Sequence, residues 1–255
     1  MDWANFLYNE NEMPLDKLVD GYSNTSIFRT MSLSSGEFET RDDLQKPGYH
    51  DLFEYSGGQF IARKNGLKAY NFSRGGMTAK EYIESYADLT GFWDKEKACQ
   101  AYVIALGVND IYNCNMEIGS ISDINIDDER NNKPTFAGYY GAIISKYKKI
   151  SPDAKFFFVT FPNTNSPHLD DKTFGMIRLL NELANTFDNS YVINLYEFGP
   201  IYNDEFKKKY FLYGHMNPSG YILTAQLIDS YIDYIIRHNP DDFKNVGFIG
   251  TDIVY

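Results

Sequence analysis

The chain has 255 residues, 43% of them hydrophobic and 23% charged, with 35 acidic against 24 basic side chains and a formal net charge of −11. That length suits one large α/β domain whose core needs no disulfide or metal staple. The acidic balance argues against nucleic acid and against anionic membrane surfaces as partners.

In chain order, strands alternate with helices. A first strand is predicted over 26–33, followed by a polar, glycine-containing loop, SSGEFETRDDLQKPGYH, and a helix over 51–64 that stops at Asn65-Gly66. LKAYNFS, 67–73, reads as the second strand. Thr78 caps a helix, TAKEYIESYADL, with Glu81 placed to complete a capping box. The third strand, AYVIAL, runs straight into Gly107, Val108, Asn109 and Asp110. After an irregular segment over 111–133, Pro134 opens a helix that extends to 149. The fourth strand, AKFFFVTF, is the unbroken apolar run of a strand covered on both faces. A helix over 170–187, a fifth strand SYVINLYEF and a long helix over 218–238 complete the pattern. Strands and helices in this alternation predict a three-layer α/β/α sandwich around a mostly parallel, five-stranded sheet. With no internal repeat and no linker, the chain reads as a single domain, 1–255, with an N-terminal extension over 1–25 and a C-terminal tail over 239–255.

The chemistry-bearing residues fall at the strand ends, where open α/β sheets bind ligands. After the first strand come Met31, Ser32, Leu33, Ser34 and Ser35; after the second, Asn71-Phe-Ser-Arg-Gly75-Gly76-Met-Thr78; after the third, Asn109. Just before the last helix stands GHMNPSGY, 214–221. Together these supply a hydroxyl, a glycine N–H, an amide and an imidazole. Acyl transfer needs that set: a base to activate a weak serine nucleophile, and two or three donors aimed at the oxyanion of the tetrahedral intermediate. Each residue has a plainer role as well, Gly76 as a turn glycine and His215 as a loop histidine; the combination and order favour catalysis.

These four blocks, from about residue 26 to 225, resemble those of the SGNH hydrolases of the GDSL lipase/esterase superfamily. The resemblance implies a flavodoxin-like sheet and ester hydrolysis through an acyl-enzyme, without metal or organic cofactor. Ser32 would be the nucleophile, with Ser34 and Ser35 as close alternatives. The Ser32 N–H, the Gly76 N–H and the Asn109 side chain would form the oxyanion hole, and His215 would be the base and then the acid. The chain departs from the family at two places. The Gly-Asp-Ser-Leu block reads Thr30-Met31-Ser32-Leu33, and the Asp expected three residues before the histidine is Leu212. The imidazole is then left to a backbone carbonyl or to another acid such as Glu37 or Asp110. The expected substrate is a small or carbohydrate-linked ester. The alternative, favoured by Met31 and Leu212, is a weakened SGNH-fold protein that binds an acylated or sugar ligand without turnover.

Other features point away from further sites. Cys99 and Cys114 match no metal spacing and no disulfide framework, and Cys99 reads as a small core residue. Asp123-Ile-Asn125-Ile-Asp127 begins like a calcium loop but has Asp128 where glycine is required and Pro134 where glutamate should stand, so it reads as a solvated loop. Gly75-Gly76 is followed by no phosphate-loop signature. His50, His168 and His238 have no context like that of His215 and read as structural, and Lys207 to Lys209 read as a solvated helix face. The 21 tyrosines and 19 phenylalanines are explained by aromatic packing. The N-terminal MDWANFLYNENEMPLDKL lacks the basic and apolar regions of a signal peptide, and no run is long enough to span a bilayer. The expected location is therefore cytoplasmic.

Overall fold

A computed structural model describes residues 26–29, 35–166 and 170–243, with the backbone alone over 26–29. The strands are β1 (Ser26–Arg29), β2 (Glu37–Arg41), β3 (Pro47–Asp51), β4 (Ala101–Ile104), β5 (Lys155–Val159), β6 (Ser190–Ile193), β7 (Phe211–Leu212) and β8 (His215–Met216). The main helices are α1 (Gly57–Lys64), α3 (Phe136–Ile150), α4 (Asp170–Thr186), α5 (Leu195–Phe198), α6 (Asp204–Tyr210) and α7 (Pro218–His238). Between the first two runs α2, which starts at Ala79–Glu81, widens into a π-helical stretch at Tyr82–Tyr86 and ends at Ala87–Leu89.

Alternation along the central strands sorts the helices into two layers. Tyr102, Ile104, Phe156 and Phe158 face one side, in one apolar cluster with Tyr82 of α2, Tyr140 and Ile144 of α3 and Leu180 of α4. Val103, Phe157 and Val159 face the other, packed with Ile61 of α1 and Ala225 and Ile228 of α7. Successive side chains of a strand point to opposite faces, so both faces of this sheet are buried. The aromatic residues do supply the packing: Tyr102 stacks on Phe156 with ring centroids 5.1 Å apart, and the Tyr82 and Tyr147 hydroxyls, both buried, satisfy each other at 2.8 Å.

The parallel sheet has four strands among the described residues, in the order β1-β4-β5-β6. The second of the five expected strands, over 67–73, does not form. That segment has only an isolated bridge at Asn71, and the Asn71 side chain accepts from both the N–H (2.8 Å) and the hydroxyl (2.6 Å) of Ser73, a local turn in competition with strand pairing. The strand expected over SYVINLYEF is also shorter: after Ile193, Asn194 caps α5 by accepting from the Glu197 N–H. The larger correction lies upstream. The segment read as a polar loop contains an antiparallel hairpin, with Glu37 opposite Asp51 and Glu39 opposite Tyr49.

Helix ends follow their caps. Ser56 caps α1, which therefore starts later than expected, at Gly57. Its stop at Asn65 holds, and both Lys64 (2.7 Å) and Asn65 (2.7 Å) bind Asp229 of α7. Thr78 accepts from the Glu81 N–H at 3.0 Å, but the Glu81 carboxylate turns to Arg74 at 2.7 Å, so only half of the expected capping box forms. Asp123 proves buried, with Lys133 at 2.8 Å and Thr135 at 3.0 Å on its carboxylate, so the acid of the presumed solvated loop is a structural anchor. Lys207 to Lys209 are exposed on α6, as expected. No described helix is long and apolar enough to cross a membrane. The extension over 1–25 and residues 244–255 of the tail lie outside the described residues.

Candidate active site

GHMNPSGY folds as a hairpin followed by a helix start. β7 and β8 pair antiparallel around Tyr213-Gly214, with Leu212 opposite His215. Tyr213 sits at φ 59°, a conformation costly for a residue with a side chain. Asn217 then caps α7, accepting from the Gly220 N–H at 2.9 Å while its own amide donates to the Lys209 carbonyl at 2.8 Å. Pro218 takes the first helical turn, where its missing N–H costs nothing. Tyr221, buried, donates its hydroxyl to the Glu37 carbonyl. One short motif thereby fixes both the histidine and the strand that faces it.

That strand is β2, and it brings two carboxylates to His215. Glu39 Oε2 accepts from the Gly214 N–H at 2.8 Å and lies 3.3 Å from Nδ1 of His215. Its other oxygen pairs with Arg41. Glu37 Oε2 lies 3.1 Å from Nε2 on the opposite edge of the ring. Ionised carboxylates only accept, and a neutral imidazole donates from one nitrogen alone, so this arrangement favours the charged ring. The His215 pKa is accordingly raised, first by Glu37 and then by Glu39, against a lowering by burial. Burial acts to raise the Glu39 pKa, but the Gly214 N–H, His215 and Arg41 outweigh it and hold the group below its ordinary value. The Tyr49 ring meets the imidazole edge to face at 5.6 Å.

The other predicted residues sit on neighbouring turns. Arg74 to Met77 form a tight turn closed by the Met77 N–H on the Arg74 carbonyl at 3.3 Å, with Gly76 at φ 72° in its third position. A Cβ on Gly76 would meet nothing within 4 Å, so glycine is there for its backbone angle. Gly75 is glycine for the opposite reason: a Cβ would stand 2.2 Å from Glu37 Oε1. Asn109 opens a π-helical turn after β4, and its side-chain amide donates to the Met77 carbonyl at 3.0 Å. An amide carries two N–H groups, so this bond fixes the side chain and leaves a second donor. Glu37 thus lies between His215 and the glycine turn, and Met77 ties the turn to Asn109.

Ser32 and Ser34 lie outside the described residues, and Ser35 is fully buried. Asp110, a sequence candidate for holding the imidazole, is instead buried beneath α2, accepting from the Ala79 N–H at 2.8 Å. Burial pushes its pKa up to about 6, against the backbone N–H groups that lower it. Glu37 does touch the ring, on Nε2, and the acid on Nδ1 is Glu39, which the sequence reading missed. A signal existed in EFETR: Glu37, Glu39 and Arg41 alternate with Phe38 and Thr40, the period of a strand with one charged face. His50 bonds Thr40 at 3.0 Å, and His238 stacks on Tyr234 at the end of α7; neither joins the site.

The parallel sheet, with the Asn109 amide at its carboxyl end beside the Gly76 turn and a carboxylate-held histidine, is consistent with an α/β hydrolase-like fold. The sequence matches no protein-family model and no curated protein. Its fold is similar to that of solved esterases. A family two carbohydrate esterase from Clostridium thermocellum, solved in complex with cellohexaose, superposes with a TM-score of 0.60 at 16% identity over 86% of this chain and 66% of that one. The Clostridium thermocellum family 3 carbohydrate esterase gives 0.52 at 14% identity over 83% and 96%. A possible lipase from Chitinophaga pinensis gives 0.51 at 14% over 84% and 99%. The chain therefore spans just under two-thirds of the family two esterase and nearly all of the other two. These likenesses establish the fold as α/β around a parallel sheet, without the five strands expected from the sequence.

Proposed function

We propose that the protein is a serine esterase acting on a small or carbohydrate-linked ester, with Ser32 as nucleophile, His215 as base and then acid, and the Ser32 N–H, Gly76 N–H and Asn109 amide as oxyanion donors. The observation that carries this reading is Glu39 on Nδ1 of His215. A carboxylate behind the imidazole orients it and stabilises its charged form, the task left open by Leu212. The Ser32 hydroxyl adds to the ester carbonyl as its proton passes to Nε2, and the tetrahedral oxyanion is met by the three donors. The C–O bond to the alcohol breaks and the alcohol leaves with that proton. Water then adds to the acyl-serine, giving a proton to His215, and the acid departs as Ser32 recovers it. The carbohydrate esterases among the structural neighbours support a sugar-linked alcohol.

The test is hydrolysis of an aryl acetate and of an acetylated oligosaccharide by wild type and Ser32→Ala, alongside fluorophosphonate labelling. Loss of about 10³-fold or more in the variant, with label on Ser32 of the wild type, is expected. Equal rates would overturn the nucleophile assignment. A folded wild type that takes no label and turns over neither ester would leave the ligand-binding alternative as the better account.

A further inference from the structure

A general base needs a ring nitrogen with an open lone pair, and both nitrogens of His215 face carboxylates. Its Nε2, the nitrogen that must receive the nucleophile's proton, faces the Glu37 carboxylate at 3.1 Å, while Nδ1 faces Glu39 at 3.3 Å. We propose that Glu37 is a proton lock on this site: in the resting protein its carboxylate holds the Nε2–H of a charged His215, and the ring becomes a base only when that pair opens. The proposal rests on the reading of His215 as the base and names Glu37 as the residue that sets the pH range in which it acts.

The surroundings make the lock one-sided. From β2, Glu37 and Glu39 face the ring and Arg41 neutralises Glu39. From β3, Asp51 stands directly opposite Glu37 and reaches the Gly75 N–H at 3.3 Å, and Tyr49 meets the ring edge. Tyr213 takes the Arg41 guanidinium on its face at 5.0 Å, and Tyr221 of α7 donates to the Glu37 backbone. Like charges directly opposite on paired strands repel, so Glu37, with Asp51 across from it, is stabilised by a cationic His215. Burial opposes the ring's charge, but the two carboxylates prevail and keep the proton on above the ordinary value of 6.5.

Loss of the Nε2 proton to solvent reverses the interaction. With Nδ1–H still donated to Glu39, the Nε2 lone pair faces an anionic acceptor, and the two repel. The Glu37 backbone stays, held by Tyr221. Its side chain, lying against Gly75, is the part free to swing away, and a hydroxyl can then donate into Nε2. Gly75 supplies the space for the lock, since a Cβ there would collide with the Glu37 carboxylate.

The experiment is an NMR titration of His215 in wild type, Glu37→Gln and Gly75→Ala, paired with the pH dependence of aryl acetate hydrolysis. The wild-type midpoint should lie above 6.5, the ordinary value. Each variant should lower it by about one pH unit or more, the usual effect of removing an adjacent opposite charge. The rate at pH 6, relative to each protein's own plateau, should rise by roughly tenfold in step with a one-unit fall. Midpoints unchanged in both variants overturn the lock. Midpoints lowered in the variants, alongside a wild-type protein without esterase activity, would retain the Glu37–His215 pair and overturn the hydrolase reading instead.

Discussion

The turn that carries Asn109 and the strand that carries Glu39 are held in different ways. Asn109 follows an apolar strand whose side chains are buried on both faces, and Gly107 beside it is so closely covered that a Cβ would stand 2.2 Å from Met176 Cε and 2.9 Å from the Phe136 ring. Glu39 belongs to a hairpin whose second strand is mostly exposed. It is held by Arg41, by the Gly214 N–H and by the imidazole itself. Packing fixes the Asn109 side of the proposed site, and charge fixes the His215 side. Substitutions should therefore damage the two sides through different quantities: stability on one, protonation and rate on the other.

Glu39→Gln should give the largest effect on the rate. The amide is nearly isosteric and can still accept from Gly214, but it has no charge with which to stabilise the imidazolium. A fall in kcat of about 10²–10⁴-fold is expected, by analogy with triads that lose their acid. The loss should appear in kcat more than in KM, because the interaction strengthens only as the ring takes its proton. A variant with unchanged kcat would mean that the ring is oriented by packing, and the contrast between the two sides would disappear.

Gly107→Ala probes the packed side. Its φ of 126° disfavours any side chain, and the methyl group would also drive Met176 out of a filled core. Strain and overpacking together should cost about 3 kcal/mol, read as a lower midpoint in urea unfolding. A loss under about 0.5 kcal/mol, the scale of an ordinary surface substitution, would show that Met176 repacks freely and that Asn109 is held less firmly than the strand before it.

The same contrast explains what was legible in the sequence. AYVIAL and KFFFV announce buried strands because their partners matter only in being apolar, and the layers follow from that. Pro218 and Asn217 mark the start of the last helix by local chemistry alone. Glu39, by contrast, has its role through Gly214 and His215, 175 and 176 residues further along the chain, so the local pattern EFETR could suggest a strand but not its partner. LKAYNFS failed for a related reason: its alternation is that of a strand, yet Asn71 turns its side chain onto Ser73, and Phe72 is buried against Phe92 at 4.7 Å. Asp110 was misread because its acceptor oxygen serves the first turn of α2, a contact from another segment that no spacing reveals.

Leu212→Asp should have the smallest effect alone and the most informative one in combination. Leu212 lies directly across the β7–β8 hairpin from His215 and is 42% exposed. Paired residues on antiparallel strands place their side chains on one face, so an aspartate there would approach a ring that already has a carboxylate at each nitrogen. In the wild-type background this half-exposed third acid should change kcat by no more than about threefold, the range of an exposed ion pair. With Glu39→Gln the outcome should differ. Nδ1 then has no charged partner, and an aspartate three residues before the histidine is the arrangement of the SGNH family. Recovery of roughly tenfold or more over Glu39→Gln alone would amount to a coupling above about 1.4 kcal/mol between the two positions. That coupling would mean that the two acids are alternative supports for one imidazole, one reached through the hairpin β2–β3 and the other through β7. Without recovery, the ring in this chain is turned so that only β2 can reach Nδ1, and the hairpin read as a loop is then the indispensable half of the base.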